Sequence, residues 1–251
     1  MKMQRSIPVL IISSLMLFAA CGKKKTETQP GQQARIAYTV YQLGLYEKTD
    51  AAKASEWLNR AEMVTVLETV SVPDAKNPAK KVEWAKIERT TGKQGFVDAT
   101  RLESKAFVVT GNLDIFNVNQ VSGKKLTSVP QGHVGFVVEE RGDWAKVRFG
   151  YKVYEKWDQP KPTLKYVDQQ WAQLTGVSYD PVAIGEGVEF EAAARKFFDA
   201  DAAKKAQGKK DLETIVNDGK SAFATLAKNV LATAIESAPA EAAPAEGAAA
   251  P

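Results

Sequence analysis

A short string occurs twice in the chain, as Trp84-Ala85-Lys86-Ile87 and as Trp144-Ala145-Lys146-Val147, each time among the same kinds of neighbour. A segment that alternates apolar and polar residues, Glu62-Met63-Val64-Thr65-Val66-Leu67-Glu68, precedes the first copy, and the largely apolar Val134-Gly135-Phe136-Val137-Val138-Glu139-Glu140 precedes the second. A short apolar segment follows each. In the first copy the turn Thr91-Gly92-Lys93-Gln94-Gly95 leads into Phe96-Val97-Asp98; in the second a long excursion, Phe149 to Lys165, leads into Tyr166-Val167-Asp168. Side chains that alternate with a period of two belong to strands with one buried face. The chain from Ala34 to Leu174 therefore reads as an internal duplication of short strands and turns. Closing each set on itself would hide the sheet edges, so the pattern is consistent with small β-barrels.

Several local features modify this plan. Val70 to Val82 contains Pro73, Asp74, Asn77 and Pro78 with Lys80-Lys81, and proline cannot continue a strand ladder, so a projecting loop is expected there. Ala51 to Arg60, with Trp57 and Leu58, has the composition of a short helix. Trp84 and Trp144 are expected in the barrel cores. His133 lies in Pro130-Gln131-Gly132-His133-Val134-Gly135 and is expected to be an exposed turn residue. The paired cores are expected to hold a chain of Ala34 to Thr175 together without the rest. After Tyr179-Asp180-Pro181 the period changes. Glu186 to Ala206 and Asp211 to Ile235 predict two helices, a hairpin or a pair lying across the barrels, with Gly208 ending the first. Leu212, Ile215, Val216, Phe223, Leu226, Val230, Ala234 and Ile235 form one apolar stripe, expected to face the chain's own core. Pro239 to Pro251 is almost entirely Ala, Pro, Glu and Gly and cannot bury a core, so a disordered tail is expected.

The N-terminus carries an address. Lys2 and Arg5 form a charged start, Ser6 to Phe18 is an apolar run too short to span a bilayer, and Ala19-Ala20 are the small residues a signal peptidase requires. Leu17-Phe18-Ala19-Ala20-Cys21 resembles the lipobox of bacterial lipoproteins, although Phe18 stands where Leu is usual. The resemblance implies that Cys21 is acylated and becomes the first mature residue; the alternative is an ordinary cleaved signal with an incidental cysteine. Two or three acyl chains make a stable attachment where one does not. Lys23-Lys24-Lys25 would then lie beside anionic headgroups or act as a solvated tether, and Thr26 to Gln33, with Pro30-Gly31, reads as a flexible linker. In some bacteria an Asp after the cysteine resembles an inner-membrane retention signal. Gly22 occupies that place here, which favours the outer membrane over the inner.

Catalytic chemistry is scarce. With Cys21 committed to lipid and His133 the single histidine, no nucleophile and base pair forms except around that imidazole, and no zinc spacing or phosphate loop is present. Two carboxylates distant in sequence would suffice for a glycosidase, but no dyad is recognisable. The net charge of +4, two units of which leave with Lys2 and Arg5, is no signature of nucleic-acid binding. No cofactor and no metal are expected.

The duplicated segments resemble the bacterial SH3-like (SH3b) domain. In the first half the matches are Leu43-Gly44-Leu45-Tyr46, Val64-Thr65-Val66-Leu67-Glu68, Trp84-Ala85-Lys86-Ile87, Gly92-Lys93-Gln94-Gly95-Phe96-Val97 and Leu102. In the second they are Leu113-Asp114-Ile115-Phe116, Gly132 to Glu139, Trp144-Ala145-Lys146-Val147, and Tyr166-Val167 as the closing pair. The implied fold class is mainly β with a helical C-terminal region. Its organisation is a lipoprotein signal over residues 1–20, a lipidated tether over 21–33, SH3-like domains over 34–104 and 105–178, a helical region over 179–236 and a tail over 237–251. The resemblance implies a non-enzymatic, lipid-anchored envelope protein whose domains bind cell-wall peptide. Tyr46 and Phe116, and the cluster Tyr151, Tyr154 and Trp157, are the exposed aromatics expected to meet a ligand. Two other roles remain open: an assembly lipoprotein binding another envelope protein through its helices, and a surface-exposed adhesin.

Overall fold

The computed structural model describes residues 27–28, 33–74, 77–159 and 162–236. The signal segment, Cys21 and the Ala/Pro tail lie outside the described residues. The first β unit contains β1 (Glu27–Thr28), β2 (Arg35–Thr39), β3 (Leu43–Leu45), β4 (Glu56–Leu58), β5 (Met63–Pro73), β6 (Lys81–Arg89), β7 (Gln94–Asp98) and β8 (Leu102–Glu103). The second contains β9 (Lys105–Val109), β10 (Leu113–Phe116), β11 (Lys125–Val129), β12 (Val134–Arg141), β13 (Trp144–Arg148), β14 (Val153–Tyr154), β15 (Leu164–Lys165), β16 (Asp168–Gln173) and β17 (Val177–Ser178). Three helices follow: α1 (Pro181–Phe197), α2 (Ala202–Asp218) and α3 (Ala224–Glu236).

The duplication extends to the strand pairing. In the first unit β2 pairs with β5 and β8, β5 with β6, β6 with β7, and β3 with β4, while Tyr46 bridges to Phe96. In the second, β9 pairs with β12 and β17, β12 with β13, β13 with β16, and β10 with β11, while Phe116 bridges to Trp171. Even the bulge repeats, between Val66 and Glu68 on β5 and between Val137 and Glu139 on β12.

This register corrects one expected equivalence. Trp84 lies opposite Asp98 and Trp144 opposite Gln173, so Trp171-Ala172-Gln173, not Tyr166-Val167-Asp168, occupies the place of Phe96-Val97-Asp98. The excursion before it contains the β14–β15 pair and is longer than its sequence resemblance implied.

Three apolar cores result. Ala37, Leu45, Leu58, Val64, Ala85, Ile87 and Val97 fill the first unit, and Phe107, Leu113, Ile115, Ala145, Val147 and Phe149 fill the second. The third lies between the outer face of β9 and β12 (Ala106, Val108, Val134, Phe136) and the helices (Ile184, Phe190, Phe197, Leu212, Phe223, Val230). The second unit is thus covered on both sheet faces, and a chain cut to Ala34–Thr175 would expose one face of β9 and β12 to water.

The helical region holds three helices rather than two. Asp180 accepts hydrogen bonds from the N–H groups of Val182 and Ala183 and Pro181 fills the first turn, so α1 begins earlier than its periodicity indicated. Asp201 caps α2 in the same way, and Gly219, in the left-handed conformation at φ 63°, ends it. Gly208, expected to terminate a helix, sits in the middle of α2. Its missing Cβ lets the backbone approach α1, where a methyl group would lie 2.7 Å from the Ala193 carbonyl oxygen. As expected, the stripe on α2 and α3 faces the chain's own core, where Leu212, Phe223 and Val230 are buried.

Three further local expectations are corrected. Ala51 to Arg60 contains strand β4, not a helix, because Leu58 is drawn into the core opposite Leu43. Val70 to Val82 is not a loop throughout: β5 continues to Pro73, which pairs with Lys81, and the outermost rung is the one place where a proline costs no interior ladder bond. Within the supposed linker, Glu27 and Thr28 pair with Ser71 and Val70 on the edge of that extension.

Candidate functional site

Strand parity decides where the two tryptophans point. Ala85 and Ile87, like Ala145 and Val147, are buried, so Trp84 with Lys86 and Trp144 with Lys146 take the opposite face. Trp84 and Trp144 are half-buried on the outside of the sheets, which corrects their placement in the cores. Each stands edge to face with the aromatic at the end of the preceding equivalent strand. The Tyr46–Trp84 and Phe116–Trp144 centroids are both 5.4 Å apart at 85°, within the favourable range for T-shaped pairs. Lys86 and Lys146 on the same face pair with Glu68 (3.6 Å) and Glu139 (2.8 Å) at the two bulges.

A cleft opens at each tryptophan. The first, about 400 Å³, is lined by Tyr41, Leu43, Gly44, Tyr46, Trp84, Asp98 and Arg101 among others. The second, about 480 Å³, runs over Glu140, Asp143, Trp144, Gln173, Thr175 and Tyr179. The two faces have diverged in polarity. Gly44 lies opposite Trp57, which is 60% exposed, whereas the second unit sets Asp114 opposite Ser128. Asp114 accepts hydrogen bonds from Lys125 at 2.7 Å and Ser128 at 2.6 Å, which hold its carboxyl below the usual carboxylate range. Trp171 is covered by Arg141 and Lys146, 5.3 and 5.1 Å from its ring centroid. The first face is therefore the more open and aromatic.

The expected cluster Tyr151, Tyr154 and Trp157 divides. Tyr154 and Trp157 are 7% and 4% exposed, and the expectation that they meet solvent fails. They fold back over His133, whose ring stacks on Trp157 at 4.5 Å, and the Trp157 indole donates to the Gln131 carbonyl at 2.8 Å. His133 itself is fully buried, which corrects its reading as an exposed turn residue. The excursion supplies the cover, and its aromatic content reflects that packing role. Tyr151 remains 39% exposed, flanked by the Arg60 and Arg195 guanidinium groups at 5.1 and 5.3 Å.

Beneath Tyr151 lies a charged cluster that joins the three parts of the fold. Glu191 of α1, buried, accepts from Arg60 at 2.6 Å, from Arg195 at 2.6 Å and from the Val134 N–H at 3.4 Å, and lies 3.2 Å from His133 Nδ1. Arg60, from the first unit, also donates to the carbonyls of Val134 and Phe149 in the second, at 2.5 and 2.6 Å. His133 Nε2 lies 3.1 Å from the Tyr154 nitrogen and 3.2 Å from its carbonyl oxygen, while Nδ1 faces Glu191. Burial pushes the imidazole below its ordinary value although Glu191 pulls it up. Burial raises the Glu191 carboxyl, but Arg60, His133 and Arg195 outweigh it and hold the group well below the ordinary value.

Of the sequence-predicted site residues, Tyr46 and Phe116 occupy equivalent places beside Trp84 and Trp144. Tyr151 stands apart, Tyr154 and Trp157 are core, and Cys21 lies outside the described residues. Trp57, Arg60 and Glu191 were not singled out. Strand parity around Leu58 carries the signal for Trp57, but nothing local marks Arg60 and Glu191, which are far apart in sequence. Trp84→Ala is expected to cost about 1–2 kcal/mol by urea denaturation, below the ~3–5 kcal/mol of a core aromatic; a loss in the core range would return the ring to a packing role.

Among the described residues no helix is long and apolar enough to cross a membrane. No curated protein matches the chain. Among solved structures, NlpC2 from Trichomonas vaginalis matches at 13% identity, covering 66% of this chain and 57% of that one, with a TM-score of 0.22. NlpC1 from Trichomonas vaginalis matches at 13% identity, 66% and 55% coverage and a TM-score of 0.21. The chain thus spans little more than half the length of either. Over residues 9–241, a span that holds both β units and all three helices, the chain matches the family described as Lipoprotein LenA, and it belongs to that family of membrane-associated envelope proteins.

Proposed function

We propose that this is a non-enzymatic binding protein, held on the envelope by lipid on Cys21, whose two β units are SH3-like and recognise cell-wall peptide on their outer faces. The observation that carries this reading is the repeated aromatic pair. In both units a tryptophan and a second ring stand half-exposed beside a cleft, where a purely structural sheet would carry polar residues. The shared strand order and shared bulge support the SH3-like assignment. Adjacent apolar and polar groups suit a short peptide: rings for its aliphatic parts, with Asp98 and Arg101 or Glu140 and Asp143 for its charged ends.

Incubation with purified peptidoglycan is expected to retain the mature protein in the pellet while releasing no soluble muropeptides. Trp84→Ala combined with Trp144→Ala is expected to return it to the supernatant with the circular dichroism spectrum intact. Release of fragments that stops in a single Asp or Glu variant would replace the reading with an enzymatic one. A wild-type protein found wholly in the supernatant would favour a scaffold that binds another envelope protein.

A further inference from the structure

The two β units carry different residues at one equivalent pair of positions. Gly44 lies opposite Trp57 between β3 and β4, and Asp114 lies opposite Ser128 between β10 and β11. The residues beside them, Leu43 with Leu58 and Leu113 with Val129, are buried, so Gly44, Trp57, Asp114 and Ser128 take the outer face. In the second unit the pair is closed on itself: Ser128 donates to Asp114 at 2.6 Å, and Lys125 lies 2.7 Å from the same carboxyl. In the first unit Trp57 is left 60% exposed. Packing does not account for the indole. The space beside Gly44 is already taken, because a Cβ there would lie 2.8 Å from the Ala54 Cβ and 3.0 Å from the Tyr46 ring.

Trp57 stands at the rim of the cleft beside Trp84. Gly44 and Tyr46 line that cleft, and side chains directly across a strand pair start about 5 Å apart. Tyr46, Trp57 and Trp84 therefore present three rings on one face. The second unit presents less open aromatic surface. Trp171 is 8% exposed, and the Arg141 and Lys146 side chains cover it. Arg141 reaches that ring from its place opposite Trp144, whereas Val70 holds the corresponding place opposite Trp84 and has no charge to lay over a ring. The difference bears on binding, because tryptophan supplies large, rigid contact area at little entropic cost and a few such residues carry most of the energy of an interface.

We propose that the two units share the ligand unequally: the first supplies most of the affinity, and Trp57 is the residue that makes the difference. The proposal rests on the reading of the outer faces as sites for cell-wall peptide. It is tested by the apparent affinity of the mature protein for purified peptidoglycan in a pelleting titration. Trp57→Ala is expected to weaken binding about tenfold or more, with the urea midpoint unchanged because the ring is exposed. Trp57→Phe, which keeps an aromatic face, should recover most of the loss. Ser128→Ala, at the equivalent place in the second unit, should leave the affinity within about twofold, as surface changes away from a hot spot do. The loss for Trp84→Ala should exceed that for Trp144→Ala several-fold. A wild-type protein that pellets while Trp57→Ala pellets equally well overturns the role of Trp57 and leaves the cell-wall reading standing. Equal losses for Trp84→Ala and Trp144→Ala overturn the unequal sharing. A loss for Trp57→Ala that comes with a lowered urea midpoint makes the ring structural and also overturns its role. A wild-type protein that stays wholly in the supernatant overturns the cell-wall reading and this proposal together.

Discussion

Glu191→Ala is expected to destabilise the protein by about 3–5 kcal/mol, read as a lower urea midpoint, because it removes one partner of a buried ion pair and strands the other. Arg60 would keep its two carbonyl partners but lose its counter-charge, its Nε already has no hydrogen-bond partner, and the Val134 N–H would be orphaned. The loss should also uncouple the first β unit from the second, since Arg60 joins them. Amide exchange would show this as faster opening of β2 and β5 in the variant. Glu191→Gln, which retains an acceptor without the charge, should fall between. An effect below about 1 kcal/mol for Glu191→Ala would show that the cluster contributes nothing net.

The same cluster sets the response to acid. His133 is held below its ordinary value of 6.5, so the unfolded chain takes up its proton first, and stability falls as pH drops below about 6.5. Glu191 is held well below 4.5; its contribution is full above that value and is lost as pH falls through the folded-state value. The two effects have the same sign. Melting temperature is expected to decline steadily from neutral pH to pH 4, and His133→Gln should flatten the upper part of that decline while leaving the lower part. A profile identical in the variant would exclude the imidazole as its cause.

Gly132→Ala is expected to cost about 2–6 kcal/mol. Gly132 adopts φ 94°, where a side chain is strained at ~1–3 kcal/mol, and its Cβ would lie 2.5 Å from the Phe190 ring and 3.1 Å from Leu226. These are packed side chains of α1 and α3, so overpacking adds a further ~1–3 kcal/mol. The equivalent place in the first unit makes an internal control. Ala61, at φ 56°, makes the same turn, its N–H donating to the Thr39 carbonyl as that of Gly132 donates to Val109. Ala61→Gly relieves the left-handed backbone but loosens the unfolded chain, so its effect should stay within about 1 kcal/mol. Similar losses at the two positions would refute helix docking as the reason for Gly132. Thermal melts with α1 and α3 present measure both.

Alternation and repetition, both local properties, made the two β units legible from the amino-acid order. Any strand with Ala85 and Ile87, or Ala145 and Val147, on one side must bury that side, and two stretches with the same order of strands must make the same pairings. The parity that places Ala85 in the core also sends Trp84 out, and only the greater bulk of tryptophan argued otherwise. A cue to the third core was also present: Ala106 to Val109 and Val134 to Val137 are continuous apolar runs, as strands covered on both faces require, whereas Met63 to Val66 alternates. The helix starts at Asp180 and Asp201 were likewise readable, each being an acidic cap before a helical run.

Tertiary structure alone decided the rest. His133, Tyr154 and Trp157 stand in turn-rich sequence that reads as surface, and they are buried because the excursion folds back over the site where α1 docks. Arg60 and Glu191 belong to different parts of the fold, and no spacing predicts that a charge from one unit will neutralise a charge on a helix packed against the other. A strand's face is set by the period of its own side chains, which the sequence displays. What covers that face depends on which distant segment has complementary shape and charge, a choice made only when all the segments compete for it in the folded chain.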